Sequence, residues 1–273
     1  MGKREDTIVL KFGGAAVSSP ERFAAIADIV LSRRARFARV VVAVSAMGDT
    51  TDDLIALARR VHPSPPRREL DMLVSVGERI SMSLLAMALD LKGVEARSFT
   101  GSQSGILTTP DHAEAKIVDV RPQRLLPHLE QNRVVIVAGF QGMSTTGEIT
   151  TLGRGGTDTT AVALGAALGA CKVEFFKDVK GIFDSDPKVN SEARRFESLS
   201  YSEALALMHR GAQILHDRCL LLAEANALAL HVLPFEGFDT PDVGTRIEPP
   251  AGTEGLDPPR YEVPHGARNV STP

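Results

Sequence analysis

Short apolar runs alternate along the chain with longer stretches that carry apolar residues at helical spacing. Residues 40–44 and 134–140 are apolar at nearly every position, which is typical of strands buried on both faces. The whole pattern predicts strands at residues 7–12, 40–44, 96–99, 134–140, 172–176 and 228–233, and helices at residues 20–36, 52–61, 69–92, 157–168, 200–210 and 212–225. The repeated order of strand and helix predicts an α/β fold with a mainly parallel sheet between layers of helices.

Two parts of the chain depart from this regular alternation. The long helix predicted at residues 69–92 contains Gly77, where we expect an interruption. From residue 249 onward the chain is rich in proline, glycine and charged residues. We expect a loose tail at residues 249–273 rather than another domain, so one folded domain should span residues 1–248.

Composition and charge narrow the class of protein. The chain has 273 residues, of which 43% are hydrophobic and 24% charged, as is ordinary for a globular α/β domain. The net charge of -3 gives no reason to expect a nucleic acid as partner. Cys171 and Cys219 are far apart and lack metal-binding spacing, which predicts thiols in a reducing compartment. The charged N-terminus and the absence of a membrane-spanning apolar run predict a cytoplasmic protein without a membrane partner.

The turn after the first predicted strand is the first candidate for phosphate chemistry. Lys11 and Phe12 are followed there by Gly13 and Gly14. Two glycines let backbone N–H groups approach a phosphate closely, and the next helix adds its positive end. Lys11 could neutralise charge on a transferring phosphoryl group. The alternative is a plain strand-to-helix turn, and the segment is not a P-loop because the lysine precedes the glycines.

Residues 151–160 (TLGRGGTDTT) form the strongest candidate loop. Arg154 can grip a carboxylate through two parallel hydrogen bonds. Asp158 could simply cap the helix that follows. A capped turn needs neither Arg154 nor three glycines, and we therefore favour a ligand-binding loop.

Three further segments carry weaker signals. The polar loop at residues 177–188 follows a strand, at the edge where α/β sheets bind ligands, but it could equally be a charged surface turn. Glu78 could bind an ammonium group or face solvent. Ser45 and Thr51 follow the strand at residues 40–44 and suit contact with phosphate or substrate. Capping of the next helix by Thr51 is the alternative there.

Seven motifs occur in a fixed order along residues 8–247. They read KFGGAAV, SAMGDTTD, GERIS, SFTGSQSG, VAGFQG, TLGRGGTDTTAVALGAAL and GAQILH. Together they resemble the aspartate kinases of the amino acid kinase family. The resemblance implies a three-layer αβα sandwich with an eight-stranded, mainly parallel sheet, and a homodimer. It also implies transfer of the ATP γ-phosphoryl group to the β-carboxylate of L-aspartate with Mg²⁺. The products would be 4-phospho-L-aspartate and ADP, at the first step of the pathway toward lysine and threonine.

The resemblance assigns roles to individual residues of this chain. Lys11 and Asp158 would be catalytic, with Asp158 orienting Lys11 and the reacting groups. Glu78 would bind the α-ammonium group of the amino acid, and Arg154 its α-carboxylate. The other predicted substrate contacts are Ser45 and Thr51.

The resemblance places the nucleotide contacts in three segments and assigns no residue as a metal ligand. The nucleotide contacts are Lys11, Phe12, Gly13, Gly14, Lys177, Asp178, Phe183, Asp184, Ser185, Asp186, Pro187, Lys188, Gln213 and Ile214.

Several positions depart from the family pattern. Ala15 and Ala16 replace a threonine–serine pair beside the acceptor. Lys177 replaces a threonine or serine, and Gln213 replaces a lysine. Nothing after residue 247 reads as an ACT regulatory domain, so we expect none. Two alternatives stay open: a kinase of the same fold that phosphorylates another amino acid, and a catalytically silent binding or regulatory subunit.

Overall fold

The structure is a computed structural model that describes residues 5–187, 189–240, 243–253, 255 and 257–263. Lys188, a predicted nucleotide contact, and parts of the predicted tail lie outside the described residues. The helices are α1 (Arg22–Arg34), α2 (Thr50–Val61), α3 (Arg67–Val74), α4 (Val76–Asp90), α5 (Leu126–Glu130), α6 (Gly156–Ala167), α7 (Tyr201–His209) and α8 (Asp217–Ala225). The strands are β1 (Glu5–Phe12), β2 (Phe37–Val44), β3 (Ala96–Phe99), β4 (Ile106–Thr108), β5 (Ile117–Val120), β6 (Val134–Ala138), β7 (Gln141–Ser144), β8 (Ile149–Thr151), β9 (Lys172–Lys177), β10 (Ser198–Leu199), β11 (Leu230–Pro234) and β12 (Thr245–Ile247).

The main sheet has eight strands in the order β10-β12-β11-β9-β1-β2-β6-β3. Its neighbouring strands pair in parallel, except for β11 and β12, which are antiparallel. The predicted α/β fold with an eight-stranded, mainly parallel sheet is confirmed. Because β1 lies between β2 and β9, the turns after these three strands meet at the carboxyl edge of the sheet, where α/β folds bind ligands.

Helices cover both faces of the main sheet and complete the three-layer sandwich. On one face, α1 and α4 pack over Ile8, Leu10 and Phe12 of β1. On the other face, α6 and α8 pack over Val9. Successive residues of a strand point to opposite faces, so Lys11 belongs to the face that α6 covers. This alternation decides which helix each side chain at the carboxyl edge can meet.

A second sheet, with the order β5-β4-β7-β8, is absent from the predicted elements. Its strands are three or four residues long, and several of their buried side chains are polar. The buried polar side chains of β7 and β8 are Gln141, Ser144, Thr150 and Thr151. An apolar pattern cannot reveal such strands. Strand β8 leads directly into the loop that carries Arg154, so this sheet positions one of the predicted substrate contacts.

Two predicted helices differ from the structure. The helix predicted at residues 69–92 is interrupted as expected, but at Ser75 instead of Gly77, and so forms two helices, α3 and α4. The helix predicted at residues 212–225 is only α8. His216 caps the start of α8, because its side chain accepts a hydrogen bond from the N–H of Arg218.

The described residues include one helical stretch, Arg67–Asp90, that is long and apolar enough to cross a membrane by length and composition. This stretch is the α3–α4 pair, and it contains the buried acids Asp71 and Glu78. It also packs against α1, β3 and β6. These are the features of core helices in a globular domain.

The described part of the chain end is bound more closely than the predicted loose tail. The Arg260 N–H donates to Oδ1 of Asn226 over 2.8 Å. Glu262 pairs with Arg218 at 2.6 Å and accepts a hydrogen bond from the Ile117 N–H. Composition alone does not identify these specific contacts with α8 and β5.

Candidate functional site

A cavity of about 270 Å³ opens at the carboxyl edge of the main sheet. Five separate segments line it: the turn after β1, the segment from the end of β2 into α2, the start of α4, Phe140 between β6 and β7, and the loop between β8 and α6 with the first turn of α6. Seven of the predicted site residues are in its lining, namely Lys11, Gly14, Ser45, Thr51, Glu78, Arg154 and Asp158. The fold therefore brings the strongest candidates from the sequence to one place.

Lys11 and Asp158 form a buried ion pair in the cavity wall. Nζ of Lys11 lies 2.6 Å from Oδ1 of Asp158, and Lys11 is only 5% exposed. Nζ of Lys177, the last residue of β9, lies 3.4 Å from Oδ2 of Asp158. The N-cap residue of α6 is Gly155, so Asp158 does not cap the helix. Its carboxylate instead lies between two ammonium groups.

Burial and charge shift the pKa values of this cluster. Burial lowers the pKa of Lys11 despite the attraction of Asp158, and the neighbouring charge of Lys177 also lowers it. Burial by itself would raise the pKa of Asp158. The charges and hydrogen bonds of Lys11 and Lys177 outweigh that effect and hold the pKa of Asp158 below its ordinary value. Asp158 is therefore an anion at neutral pH.

Two glycines lie in close contact with the groups around this ion pair. A Cβ on Gly13 would lie 3.1 Å from Nζ of Lys11, so a larger residue would press on the lysine. Gly155 has a φ of +73°, and a Cβ there would collide with the side chain of His216. The connector before α8, the segment between α7 and α8 that contains His216, consequently packs directly against the loop that leads to Asp158.

Glu78 faces the same cavity from the first turn of α4. It is 3% exposed, and its Oε1 accepts a hydrogen bond from the Ala46 N–H at 3.1 Å. Its Oε2 has no hydrogen-bond partner among the described residues. Burial raises the pKa of Glu78 to about 7. The solvent-facing alternative is therefore wrong, and a buried carboxylate with one open oxygen is suited to an ammonium ligand.

The other predicted substrate contacts also border the cavity. Arg154 is exposed, and the described residues give its guanidinium no hydrogen bond or ion pair. Ser45 follows β2, and its N–H donates to the carbonyl oxygen of Phe12 at 3.1 Å. The N-cap residue of α2 is Asp49, so the alternative of capping by Thr51 is wrong. A ligand in this cavity would thus meet hydroxyls, a guanidinium and a carboxylate.

Hydrogen bonds behind the cavity join the start of α4 to the loop before α6. The fully buried carboxylate of Asp71 in α3 accepts from the Thr151 hydroxyl at 2.6 Å and from the Ala113 N–H at 3.1 Å. The ring of His112 contacts the same carboxylate at 2.7 Å. Asp71 therefore ties α3 to β8 and to the loop before β5.

Gln141 closes this set of hydrogen bonds. Its Nε2 donates to the carbonyl oxygen of Ser75 at 2.7 Å, at the junction of α3 and α4. It also pairs with Thr151 in the ladder between β7 and β8. Asp71 and Gln141 are supporting residues that none of the sequence motifs indicated. The available signal was a carboxylate inside an apolar helical stretch, because such a group needs several donors when buried.

The predicted nucleotide contacts are only partly gathered at the cavity. Lys177 contacts the lining residue Asp158 but does not itself line the cavity. The ring of Phe12 stacks on Phe176 in the core and leaves only backbone atoms for a ligand. Phe183 forms an isolated bridge with Arg195 beyond the end of β9. The other described nucleotide positions do not line the cavity: Gly13, Asp178, Asp184, Ser185, Asp186, Pro187, Gln213 and Ile214.

The alanines that replace the family's hydroxyl pair lie beside the cavity and do not line it. Ala15 is exposed, while Ala16 is buried in the apolar layer under α1. A hydroxyl at position 16 would therefore lie in an apolar layer.

Other parts of the described structure offer less chemistry. A cavity of about 500 Å³ beside β3 is lined by Arg97, Arg124 and His128, among others, and by no carboxylate. The described residues contain no group of three or more His, Cys, Asp or Glu side chains that could hold a metal ion. The cavity beside Lys11 is the candidate active site because it alone of these two combines buried charges of both signs.

Sequence comparisons point in the same direction. Residues 6–234 match the model of the amino acid kinase family. The aspartokinase of Mycobacterium bovis (strain ATCC BAA-935 / AF2122/97) is 51% identical over 226 residues, which make up 82% of this chain and 54% of that protein. The chain thus spans about half the length of the curated relatives it matches.

Solved structures share the fold. The crystal structure of aspartate kinase from Synechocystis has a TM-score of 0.79 and 40% identity, and the match covers 92% of this chain and 41% of that chain. Aspartokinase III of E. coli, solved in complex with aspartate and ADP in its R-state, has a TM-score of 0.79 and 28% identity. That match covers 89% of this chain and 64% of the other.

Proposed function

The chain belongs to the amino acid kinase family, and on that premise we propose that it transfers the γ-phosphoryl group of ATP to the β-carboxylate of L-aspartate. One observation carries the proposal. A single cavity is lined by Lys11, a buried cation suited to phosphate that is paired with Asp158, and by Glu78, a buried carboxylate with an open oxygen suited to an ammonium group. The similarity to aspartokinases, one of them solved with aspartate and ADP, supports aspartate as the amino acid.

The amino acid would be held by Glu78 and Arg154. The ionised Glu78 accepts hydrogen bonds from the α-ammonium group, and the planar guanidinium of Arg154 binds the α-carboxylate through two parallel hydrogen bonds. Ser45 and Thr51 add hydroxyl donors beside them. These contacts occupy both α-substituents, so the side-chain carboxylate is the group left to react.

Phosphoryl transfer needs positioning and charge neutralisation more than a covalent protein group. The backbone N–H groups of Gly13 and Gly14 would bind phosphate oxygens, and Lys11 would neutralise charge on the transferring group. Asp158 holds Lys11 in place by their 2.6 Å ion pair. The substrate carboxylate forms the new oxygen–phosphorus bond as the bond to ADP breaks. No general base is required, because the acceptor is already an anion.

Mg²⁺ would enter this site bound to the phosphates of ATP, where it neutralises part of their charge. The carboxylate beside the proposed phosphate site, Asp158, is already held by two lysines. The described residues therefore do not fit a metal site formed by the protein alone, and we assign no protein ligand to the metal.

The proposed reaction also bears on the extent of the kinase domain, the cellular location and the pathway of the product. Residues 1–248 would form the kinase domain, with amino-acid contacts mainly from its first half and nucleotide contacts mainly from its second. A cytoplasmic location is supported by the need for ATP, and fractionation of cells that express the chain would test it. The acyl phosphate product would enter the pathway toward lysine and threonine.

We also propose that the chain forms a homodimer. Ile80, Met87 and Leu91 of the α4 segment are 44%, 63% and 89% exposed. Their spacing places them on one side of the helix. Helix α4 packs beside β3, an edge strand of the main sheet. An exposed apolar helix face next to a sheet edge is a surface that a second copy can cover. Light scattering that returns the mass of a single chain would contradict the dimer.

Glu78 makes both stability and substrate affinity depend on pH. Its folded-state pKa of about 7 lies above the ordinary value of 4.5. Between these values the folded chain holds a proton that the unfolded chain has lost, so the free energy of unfolding falls as pH rises from 4.5 to 7. Each pH unit contributes about 1.4 kcal/mol, or roughly 3 kcal/mol over the interval. Conversely, kcat/KM for the amino acid should rise with pH up to about 7, because the carboxylate form binds the ammonium group.

Thermal unfolding and kinetics between pH 5 and 8 would test this prediction in the wild type and in Glu78→Gln. The variant should lose both pH dependences, although its affinity for the amino acid should be low throughout. Glu130→Gln, at an exposed position on α5, is the matched control and should keep both. An unchanged pH profile of stability in Glu78→Gln would show that Glu78 does not titrate near neutrality.

A panel of substrates separates the proposed reaction from the two alternatives. ADP release coupled to a detecting enzyme would be followed with purified chain, ATP, Mg²⁺ and each amino acid in turn. Turnover with a different amino acid alone would favour an altered acceptor. ATP binding without any turnover would favour a silent subunit. The presence of Lys11, Glu78, Arg154 and Asp158 in one cavity supports turnover, because a silent copy does not need all four.

A further inference from the structure

Asp158 is shared between two lysines that come from neighbouring strands. Lys11 pairs with Phe175 in the parallel ladder of β1 and β9, so Lys177 lies two residues closer to the carboxyl edge than Lys11 does. Val173 and Phe175 of β9 belong to the apolar layer on the α6 side. Because side chains alternate along a strand, Lys177 points to that same side. The sheet thus aims both ammonium groups at the first turn of α6.

The charges of this cluster do not balance. Lys11 and Lys177 contribute two positive charges, and Asp158 contributes one negative charge. Asp158 is already neutralised by Lys11 at 2.6 Å, and Lys177 is more distant at 3.4 Å. A surplus positive charge in a largely buried place is costly unless an anion joins it. The cluster is therefore one anion short of neutrality.

Lys177 is free to approach such an anion. Its side chain is 18% exposed, whereas those of Lys11 and Asp158 are 6% and 8% exposed. A lysine that served only to neutralise a buried carboxylate would be expected to lie closer to it and to be more deeply buried. The side chain of Lys177 is therefore more accessible to a ligand than those of the buried pair.

The sequence carries a related pair of changes. Lys177 stands where the family pattern has threonine or serine, and Gln213 stands where it has lysine. Gln213 lies in the connector before α8, and His216 of that connector packs against Gly155. Compared with the family pattern, the chain therefore lacks a lysine in the segment before α8 and has an additional lysine at the end of β9. Both segments border the loop that leads into α6.

We propose that Lys177 is a second catalytic cation, which contacts the phosphoryl group in transit and supplies the charge that Gln213 cannot. This inference rests on the proposed kinase function. As the acceptor oxygen bonds to phosphorus, the bond from phosphorus to the bridging oxygen breaks and ADP leaves with its electron pair. Lys177 and Lys11 neutralise the oxygens of the transferring group from two sides. Both stay protonated, and no proton is transferred.

Three variants of the full chain test the role of Lys177. Lys177→Gln should lower kcat about 100-fold, as loss of one electrostatic donor does elsewhere, without lowering the unfolding temperature. Lys177→Arg keeps the charge and should stay within about tenfold of wild type. Lys180→Gln, an exposed lysine of the same loop, is the matched control and should have wild-type kcat. A fall in unfolding temperature with unchanged kcat in Lys177→Gln would overturn the proposal in favour of a structural role.

Nucleotide binding separates this inference from the proposed function. Calorimetry should show that Lys177→Gln weakens binding of ATP about tenfold and binding of ADP much less, because only ATP carries the transferring phosphoryl group. Equal effects on ATP and ADP would overturn the role of Lys177, whether or not the wild type phosphorylates an amino acid. Conversely, a wild type that turns over no amino acid would overturn only the proposed reaction.

A compensating variant tests the exchange of lysines. Adding Gln213→Lys to Lys177→Gln should raise kcat at least about tenfold above that of Lys177→Gln alone, since it returns one charge to the loop region. No gain in the double variant would overturn the exchange between the two positions.

Discussion

Replacing Lys11 with alanine is expected to lower kcat about 100- to 1,000-fold, the cost of losing a buried electrostatic donor at the site of charge transfer. The chain should still fold. Lys11 is 5% exposed and its ammonium group lies in the cavity wall, where low dielectric strengthens its effect on phosphate oxygens. Asp158 keeps Lys177 as partner in the variant. The loss in free energy of unfolding should therefore be smaller than the roughly 3–5 kcal/mol of a fully broken buried pair.

A second buried ion pair provides the control for this experiment. Arg33 and Glu174 lie 2.5 Å apart on the other face of the sheet, and Glu174 also keeps a second partner, Lys172, at 3.1 Å. Arg33→Ala therefore imposes a similar structural loss away from the cavity. It should reduce stability about as much as Lys11→Ala while leaving kcat unchanged. Equal kcat values for the two variants would remove Lys11 from the mechanism.

Replacing Asp71 with asparagine is expected to lower the free energy of unfolding by about 3 kcal/mol, since hydrogen bonds to a buried charge are lost. Asparagine keeps only one acceptor oxygen, and the NH₂ group that replaces the other oxygen cannot accept a hydrogen bond from the Thr151 hydroxyl or from the backbone donors around it. The same change should raise KM for the amino acid about tenfold or more with a smaller effect on KM for ATP. Asp71 holds the segments that position Glu78 and Arg154, and small displacements of binding groups are costly.

Unfolding curves and steady-state kinetics with each substrate varied would measure both effects. Glu174→Gln is the matched control, because it also converts a buried acid to its amide, but outside the cavity. It should destabilise the chain without changing either KM. A parallel rise in both KM values for Asp71→Asn would mean that Asp71 only stabilises the fold.

The main sheet could be predicted from the sequence because its central strands are buried on both faces. Residues 40–44 of β2 and the whole of β6 are continuous apolar runs, and such runs have few other uses in a globular protein. The smaller sheet could not be predicted in this way. Its strands are short and bury polar residues such as Gln141 and Thr151, whose partners are distant in sequence.

The residues of the candidate site also fall into two groups: those that a local motif indicated and those that only the fold brings together. Motifs with unusual composition, such as the loop with Arg154, indicate a ligand because ordinary turns do not need those residues. The meeting of Lys177 with Asp158 depends on the register between β1 and β9, which no local pattern specifies. The interruption expected at Gly77 falls at Ser75, whose carbonyl oxygen accepts a hydrogen bond from Gln141, a residue distant in sequence.

Phosphorylation of a carboxylate gives an acyl phosphate, and hydroxylamine converts an acyl phosphate to a stable hydroxamate. The purified chain would be incubated with ATP, Mg²⁺ and hydroxylamine, with either L-aspartate or L-asparagine as acceptor. We expect aspartate β-hydroxamate in an amount equal to the ADP released, none with asparagine, and none with Lys11→Ala on the same time scale. ADP release without hydroxamate, or equal ADP release with and without L-aspartate, would contradict the transfer of phosphate to the aspartate side chain.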